Sequence, residues 1–156
     1  LEFRRVLFRS NRRMAHSPVI YPRKRVDDIA RLVIVRDTSG SVGEATMAEF
    51  NGLVAAALAD AAQDAVIIDC DAAIHAEHFV GPGETFPDDA KGGGGTSFIP
   101  PFERVKEWID EGMTIAGVVY ITDLDGEEPE RVDVPVLWLS TTTRKASTGR
   151  TVRIVA

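Results

Sequence analysis

Cys70 is the only cysteine among 156 residues. One thiol cannot build an internal disulfide framework, and its isolation suits a reducing compartment. Aromatic residues amount to 7%, with no ladder of rings along a basic face that would stack nucleic-acid bases. No apolar run reaches the roughly 20 residues that a membrane-spanning helix requires. An HExxH pair is missing, and so is the Gly-Lys-Ser/Thr ending of a Walker A loop, which leaves zinc-peptidase and P-loop chemistry without their motifs. The first residues carry neither a long apolar core nor a small-residue cleavage site, so no secretory signal is read. The expected location is cytoplasmic.

What is present describes an ordinary globular domain. Apolar residues make up 44% and charged residues 27%, enough for one hydrophobic core. Charge is unevenly placed: residues 1–36 carry ten Lys/Arg against three acids, whereas residues 37–156 carry eight against twenty-one. An acidic body is a poor surface for nucleic acid and a good one for cations. Residues 1–26, basic and without a hydrophobic period, read as a leader or linker, partly non-native. The folded domain is expected over 27–156.

Short apolar segments alternate with helical patterns. "RLVIVR" is a strand covered on both faces, and "AVIIDCD", "TIAGVVYITD", "VPVLWLS" and "TVRIV" are further strands. Residues 42–62 carry apolar positions at helical spacing, with Ser41 and Glu44 placed to form a capping box. "FIPPFERVKEWIDEG" predicts a shorter helix closed by Gly112. Residues 74–79 follow the strand 66–70 too closely for a helical crossover, so they should pair antiparallel at an edge. The fold class is α/β: an open, Rossmann-like, mostly parallel sheet flanked by helices, with one antiparallel edge strand. Ligands of such sheets gather beyond the carboxyl ends of the strands.

Chemistry-bearing residues fall at that edge. "DTSGS" spaces Asp37, Ser39 and Ser41 two residues apart, so a tight loop can aim three oxygens at one point. "GGGGTSF" offers Thr96 on a permissive loop, and "YITDLDG" offers Asp123 at a strand end. Taken singly, these read as helix caps and turns. Taken together, they read as an oxygen shell for a hard cation such as Mg²⁺. The three segments resemble the metal-ion-dependent adhesion site (MIDAS) of von Willebrand factor A domains. "VIIDCDAAIH", "GGGGTSFIPPF", "VVYITDLDG" and "VPVLWLS" are similar to core stretches of a bacterial VWA-like family often fused to an N-terminal metallopeptidase-like region.

That resemblance implies that Ser39, Ser41 and Thr96 meet the metal closely, with Asp37 and Asp123 acting directly or through water. It further implies Mg²⁺, or alternatively Mn²⁺, with Ca²⁺ a poorer match, and a last ligand drawn from a carboxylate on a protein partner. The partner is expected to be an AAA-type ATPase or another domain of a longer chain. No enzymatic activity, nucleic acid or membrane enters this reading. Asp125, inside "TDLDG", is an extra acid that the adhesion pattern lacks.

Rival chemistries use neighbouring residues. Asp37, Asp69, Asp71, Asp123 and Asp125 would serve a metal-dependent hydrolase of phosphatase or peptidase type. His75, Glu77, His78 and Cys70 would serve zinc, but residues two apart on a strand share a face that the next residue leaves. Trp108 and Trp138 are expected in the core. Phe79, Phe86, Phe98 and Phe102 are expected to cover the upper sheet beside the loops.

Overall fold

The computed structural model describes residues 30–60 and 64–154. The basic leader, its boundary near residue 27 and the end of the helix expected over 42–62 lie outside them. In chain order the elements are β1 (Arg31–Asp37), α1 (Glu44–Asp60), β2 (Ala65–Cys70), β3 (Ile74–Val80), α2 (Ile99–Asp110), β4 (Ile115–Thr122), β5 (Val136–Ser140) and β6 (Arg150–Arg153). They form a six-stranded sheet of order β3-β2-β1-β4-β5-β6. β3 pairs with β2 antiparallel and every other pairing is parallel, so the expected sheet and its antiparallel edge are both present.

Strand alternation divides the core into two layers. Leu32, Ile34, Ala65, Ile67, Val119, Ile121, Leu137 and Leu139 face α1 through Phe50, Val54 and Ala57. Val33, Val35, Val66, Ile68, Val118, Tyr120 and Trp138 face α2 through Val105 and Trp108. This explains why β1 and β2 read as unbroken apolar runs. A strand covered on both sides has no polar face to show.

The few aromatics are concentrated. Tyr120 and Trp138 stack at 4.8 Å between centroids, and Phe98 stands edge-on to both at 5.1 and 5.5 Å. Each such pair contributes about 0.5–1.5 kcal/mol beyond simple burial. Phe98 is the residue at the N-terminal boundary of α2, so this cluster fixes where the helix begins. Phe79 departs from expectation: it is 56% exposed and sits edge-on to Trp108. Because β3 runs antiparallel, its last residues lie beside Ala65, the start of β2, at the far end from the candidate site.

Both helix ends have local causes. Prolines occupy the first turn of α2, where their missing N–H groups cost nothing. Its other end is a Schellman turn: Met113 N–H donates to Trp108 O, Gly112 N–H donates to Ile109 O, and Gly112 adopts φ 96°. At α1 the expected capping box does not form. Met47 N–H donates to Gly43 O, so the helix opens at Gly43, while the Ser41 hydroxyl is directed to Asp123.

Candidate metal centre

α1 leaves β1 on one face of the sheet and returns through β2, whereas α2 crosses the opposite face to reach β4. The topology therefore reverses between β1 and β4, where connections on the two sides diverge and open a crevice. Asp37 is the last residue of β1, and Asp123 directly follows β4. Register places Arg36 beside Ile121, which brings Asp37 level with Thr122.

A continuous hydrogen-bonded chain links the two strand ends. Asp37 Oδ1 accepts from Ser39 N–H at 2.9 Å, and Asp37 Oδ2 accepts a short hydrogen bond from the Thr122 hydroxyl. Ser39 Oγ lies 3.1 Å from Ser41 Oγ, and Ser41 Oγ donates to Asp123 Oδ2 at 2.7 Å. Asp37, Ser39 and Thr122 are buried while Ser41 is exposed, so the chain runs from the sheet interior to solvent. Burial pushes the Asp37 carboxyl above its ordinary range, and the nearby Asp123 charge adds to this. The bonds from Ser39 and Thr122 pull the other way without reversing the shift.

The Asp123 turn is held from below. Leu124 N–H donates to Thr122 Oγ1 at 3.0 Å and Asp125 N–H donates to Asp123 Oδ1 at 3.0 Å. Leu124 adopts φ 59°, a left-handed conformation costly for a leucine. Its side chain is buried in the α2-side core, and that burial offsets the strain. The Thr142 hydroxyl donates to Asp123 O at 2.8 Å. Asp125, the extra acid, is paired with Arg144 and is thereby neutralised at the rim.

Thr96 arrives on a glycine loop laid against "DTSGS". Gly93 N–H donates to Thr38 O at 2.8 Å and Gly40 N–H donates to Gly94 O at 3.0 Å. A side chain at Gly92 would place Cβ 2.1 Å from Thr38 Oγ1, and one at Gly94 would place it 2.8 Å from Asp71 Oδ2. Gly93 has φ 119°. Three of the four glycines are thus required by close approach or backbone angle, whereas a Cβ at Gly95 would meet only Ala72 Cβ, at an ordinary 3.9 Å. Thr96 itself sits with Cγ2 and Cβ against Gly126 of the Asp123 loop, where Ser97 bridges Glu127. Asp37, Ser39, Ser41 and Asp123 share one hydrogen-bonded chain. Thr96 reaches their loops through packing and backbone contacts, and its hydroxyl is not a member of that chain.

The remaining acids at this edge are already engaged. Asp69 accepts two hydrogen bonds from Arg36, at 2.7 and 2.9 Å. Asp71 pairs with His75 at 2.8 Å, and His78 Nε2 lies 3.6 Å from Asp69. Glu77 instead joins Arg104 of α2. His75, Glu77 and His78 therefore serve separate partners, and among the described residues no three His, Cys, Asp or Glu converge as a metal cluster. Cys70 is buried, and its thiol is pushed up to about 12 by that burial, with Asp71 and Asp37 adding to it. Thr122 lies within "YITDLDG" and Asp71 within "VIIDCDAAIH", and motif spacing marks neither as a support: that role shows only in their contacts.

Comparison with curated proteins and with solved structures returned no match. Residues 32–154 match the family described as VWA-like domain (DUF2201), a span that includes Asp37, Ser39, Ser41, Thr96 and Asp123. The chain belongs to this VWA-like domain family.

Proposed function

We propose that this domain is a metal-dependent protein-binding module of the adhesion-site type, in which Asp37, Ser39, Ser41, Thr96 and Asp123 hold a divalent cation and a partner's carboxylate completes its shell. The observation that carries this reading is the Asp37–Ser39–Ser41–Asp123 chain at the sheet's switch point. Its oxygen spacing fits a small hard cation. At metal–oxygen distances of about 2.1 Å, neighbouring octahedral ligands stand about 3.0 Å apart. Ser39 Oγ and Ser41 Oγ are 3.1 Å apart. Ca²⁺ favours a shell richer in carboxylates than Asp37 and Asp123 supply, so Mg²⁺ is the first candidate and Mn²⁺ the second.

Bound there, the cation would supply residual positive charge, because hydroxyl ligands coordinate without cancelling it. The chain's own residues do the rest. Thr122 and the Ser39 backbone orient the Asp37 carboxylate, and the buried Ser39 hydroxyl leads through the exposed Ser41 hydroxyl to solvent. Arg144 neutralises Asp125, which removes one acid that would repel an incoming carboxylate. The hydrolase alternative would also draw on Asp69, which is committed to a fully buried ion pair with Arg36, and this weighs against it as a metal ligand.

Client classes to test first are an AAA-type ATPase and another region of a longer parent chain. Titration of the wild-type chain with Mn²⁺, followed by electron paramagnetic resonance, should show one site that Asp37→Ala abolishes while the fold is kept. Capture of the client should fail in EDTA and with Asp37→Ala. Absence of Mn²⁺ binding, or EDTA-insensitive capture, would overturn the proposal.

A further inference from the structure

Asp71 lies outside the motif that suggested the metal site, yet it touches the glycine loop on both sides of Thr96. Its side-chain Oδ2 accepts from Gly94 N–H at 2.9 Å. Its backbone O accepts from Ser97 N–H at 3.1 Å. Thr96 therefore hangs between two anchor points that belong to one residue. Asp71 is itself fixed within the β2–β3 connection. Asp71 Oδ1 accepts from Ala73 N–H at 2.9 Å and pairs with His75 Nε2 at 2.8 Å, and Asp71 N–H donates to Ala73 O at 3.1 Å.

Glycines are intrinsically poor at holding a shape, because a residue without Cβ samples the widest backbone space. A loop of four in a row needs an external anchor if its next residue is to be placed within an ångström. Asp71 is nearly fully buried, and Gly94 leaves no room for a side chain against its carboxylate. The contact is thus a close backbone-to-carboxylate fit rather than a surface encounter.

We infer that Asp71 is the positioning residue for Thr96, clamping residues 94–97 so that the threonine is presented to the Asp37–Ser39–Ser41–Asp123 cluster. The inference rests on the metal-site reading above and assigns Asp71 no contact with the cation. Residues that hold a metal's ligands in place commonly account for roughly 10- to 100-fold in affinity. Asp71→Ala should lose that much in Mn²⁺ affinity. Asp71→Asn, which keeps one acceptor oxygen, should recover part of it.

The test is a double-mutant cycle read by Mn²⁺ titration of the full chain, with thermal unfolding run alongside. If Asp71 acts through Thr96, Asp71→Ala costs at least 10-fold alone and less than 3-fold in a Thr96→Ala background. Gly94→Ala attacks the same clamp from the loop side and covers the case in which Asp71→Ala disturbs the hairpin; it should mimic Asp71→Ala. Gly95→Ala, which has room for its methyl group, should bind as wild type does. Equal Mn²⁺ affinity in wild type, Asp71→Ala and Gly94→Ala would overturn the positioning role and leave the metal site standing. An undiminished Asp71→Ala effect without Thr96 would also overturn it. A wild-type chain that binds no Mn²⁺ would sink the metal-site reading itself, and this inference with it.

Discussion

Removing the Asp69 carboxylate should destabilise the domain by about 3–5 kcal/mol, the usual consequence of leaving a buried cation without its partner. Arg36 is wholly buried in the middle of the sheet. It makes four hydrogen bonds: two to Asp69, one to Asn51 Oδ1 of α1 at 2.7 Å and one to Pro87 O at 2.9 Å. Phe86 lies under its guanidinium at 5.4 Å. Asp69→Ala deletes half of those bonds together with the compensating charge, and water cannot replace them without opening the α1 side of the core. For a domain of ordinary stability, roughly 5–15 kcal/mol, that is a large share. Equilibrium urea unfolding should show a lower midpoint at unchanged slope. Asp69→Asn, which keeps one acceptor, should lose less. The double variant Arg36→Met/Asp69→Leu should recover to within about 2 kcal/mol of wild type, because it removes the charge and its counter-charge together. A loss below about 1 kcal/mol for Asp69→Ala, or a double variant no better than the sum of the singles, would refute the argument.

Gly92→Ala should destabilise the domain and weaken Mn²⁺ binding, since its Cβ would lie 2.6 Å from Thr38 backbone O as well as against the hydroxyl, whereas Gly95→Ala should leave both nearly unchanged; thermal unfolding and Mn²⁺ titration distinguish them. Cys70, with its thiol pushed up to about 12, should react with iodoacetamide at pH 8 about 1,000-fold more slowly than in the urea-unfolded chain, because the thiolate is the nucleophile. The same shift sets a pH trend. The unfolded thiol loses its proton first, so Cys70 should lower stability as pH rises from about 9 towards 12, and Cys70→Ala should flatten that slope in pH-dependent unfolding. Gly112→Ala, forced to φ 96° at the end of α2, should cost about 1 kcal/mol in urea unfolding.

The parallel sheet and its antiparallel margin were legible because burial on two faces leaves continuous apolar runs, and a three-residue link permits only a hairpin. The placement of Asp37 and Asp123 at strand ends was legible for the same reason, since hydrophobic runs stop where solvent begins. Ser41 was legible in two roles, as a helix cap and as a neighbour of Asp123 in one oxygen shell, and the local sequence does not choose between them. A short hydroxyl side chain before a helix can cap it or turn away, and the choice depends on Asp123, far along the chain. Arg36 ends the apolar run "RLVIVR", and only tertiary contact with Asp69, Asn51 and Pro87, invisible in the local sequence, lets a guanidinium lie buried there. Phe79 was misplaced because strand direction decides which end of the sheet a residue reaches. Asp71 escaped notice as a support because its partners are backbone N–H groups, which every residue type possesses.

β1 lies in the sheet between β2 and β4, yet Asp37 and Thr122 are separated by 85 positions in the chain. On a ribosome making roughly 5–20 residues per second, about 4 to 17 s pass between the synthesis of those two residues. In that interval β1 can acquire α1 and β2, but its β4-facing edge has unpaired N–H and C=O groups beside bare valines and isoleucines. Such an edge is a template for pairing with other chains. The crevice between β1 and β4 also does not exist until β4 arrives, so a cation cannot assist the early steps. A nascent chain stalled before residue 115 should therefore be both unable to bind Mn²⁺ and prone to aggregate, whereas one released after β5 has every strand that flanks the crevice.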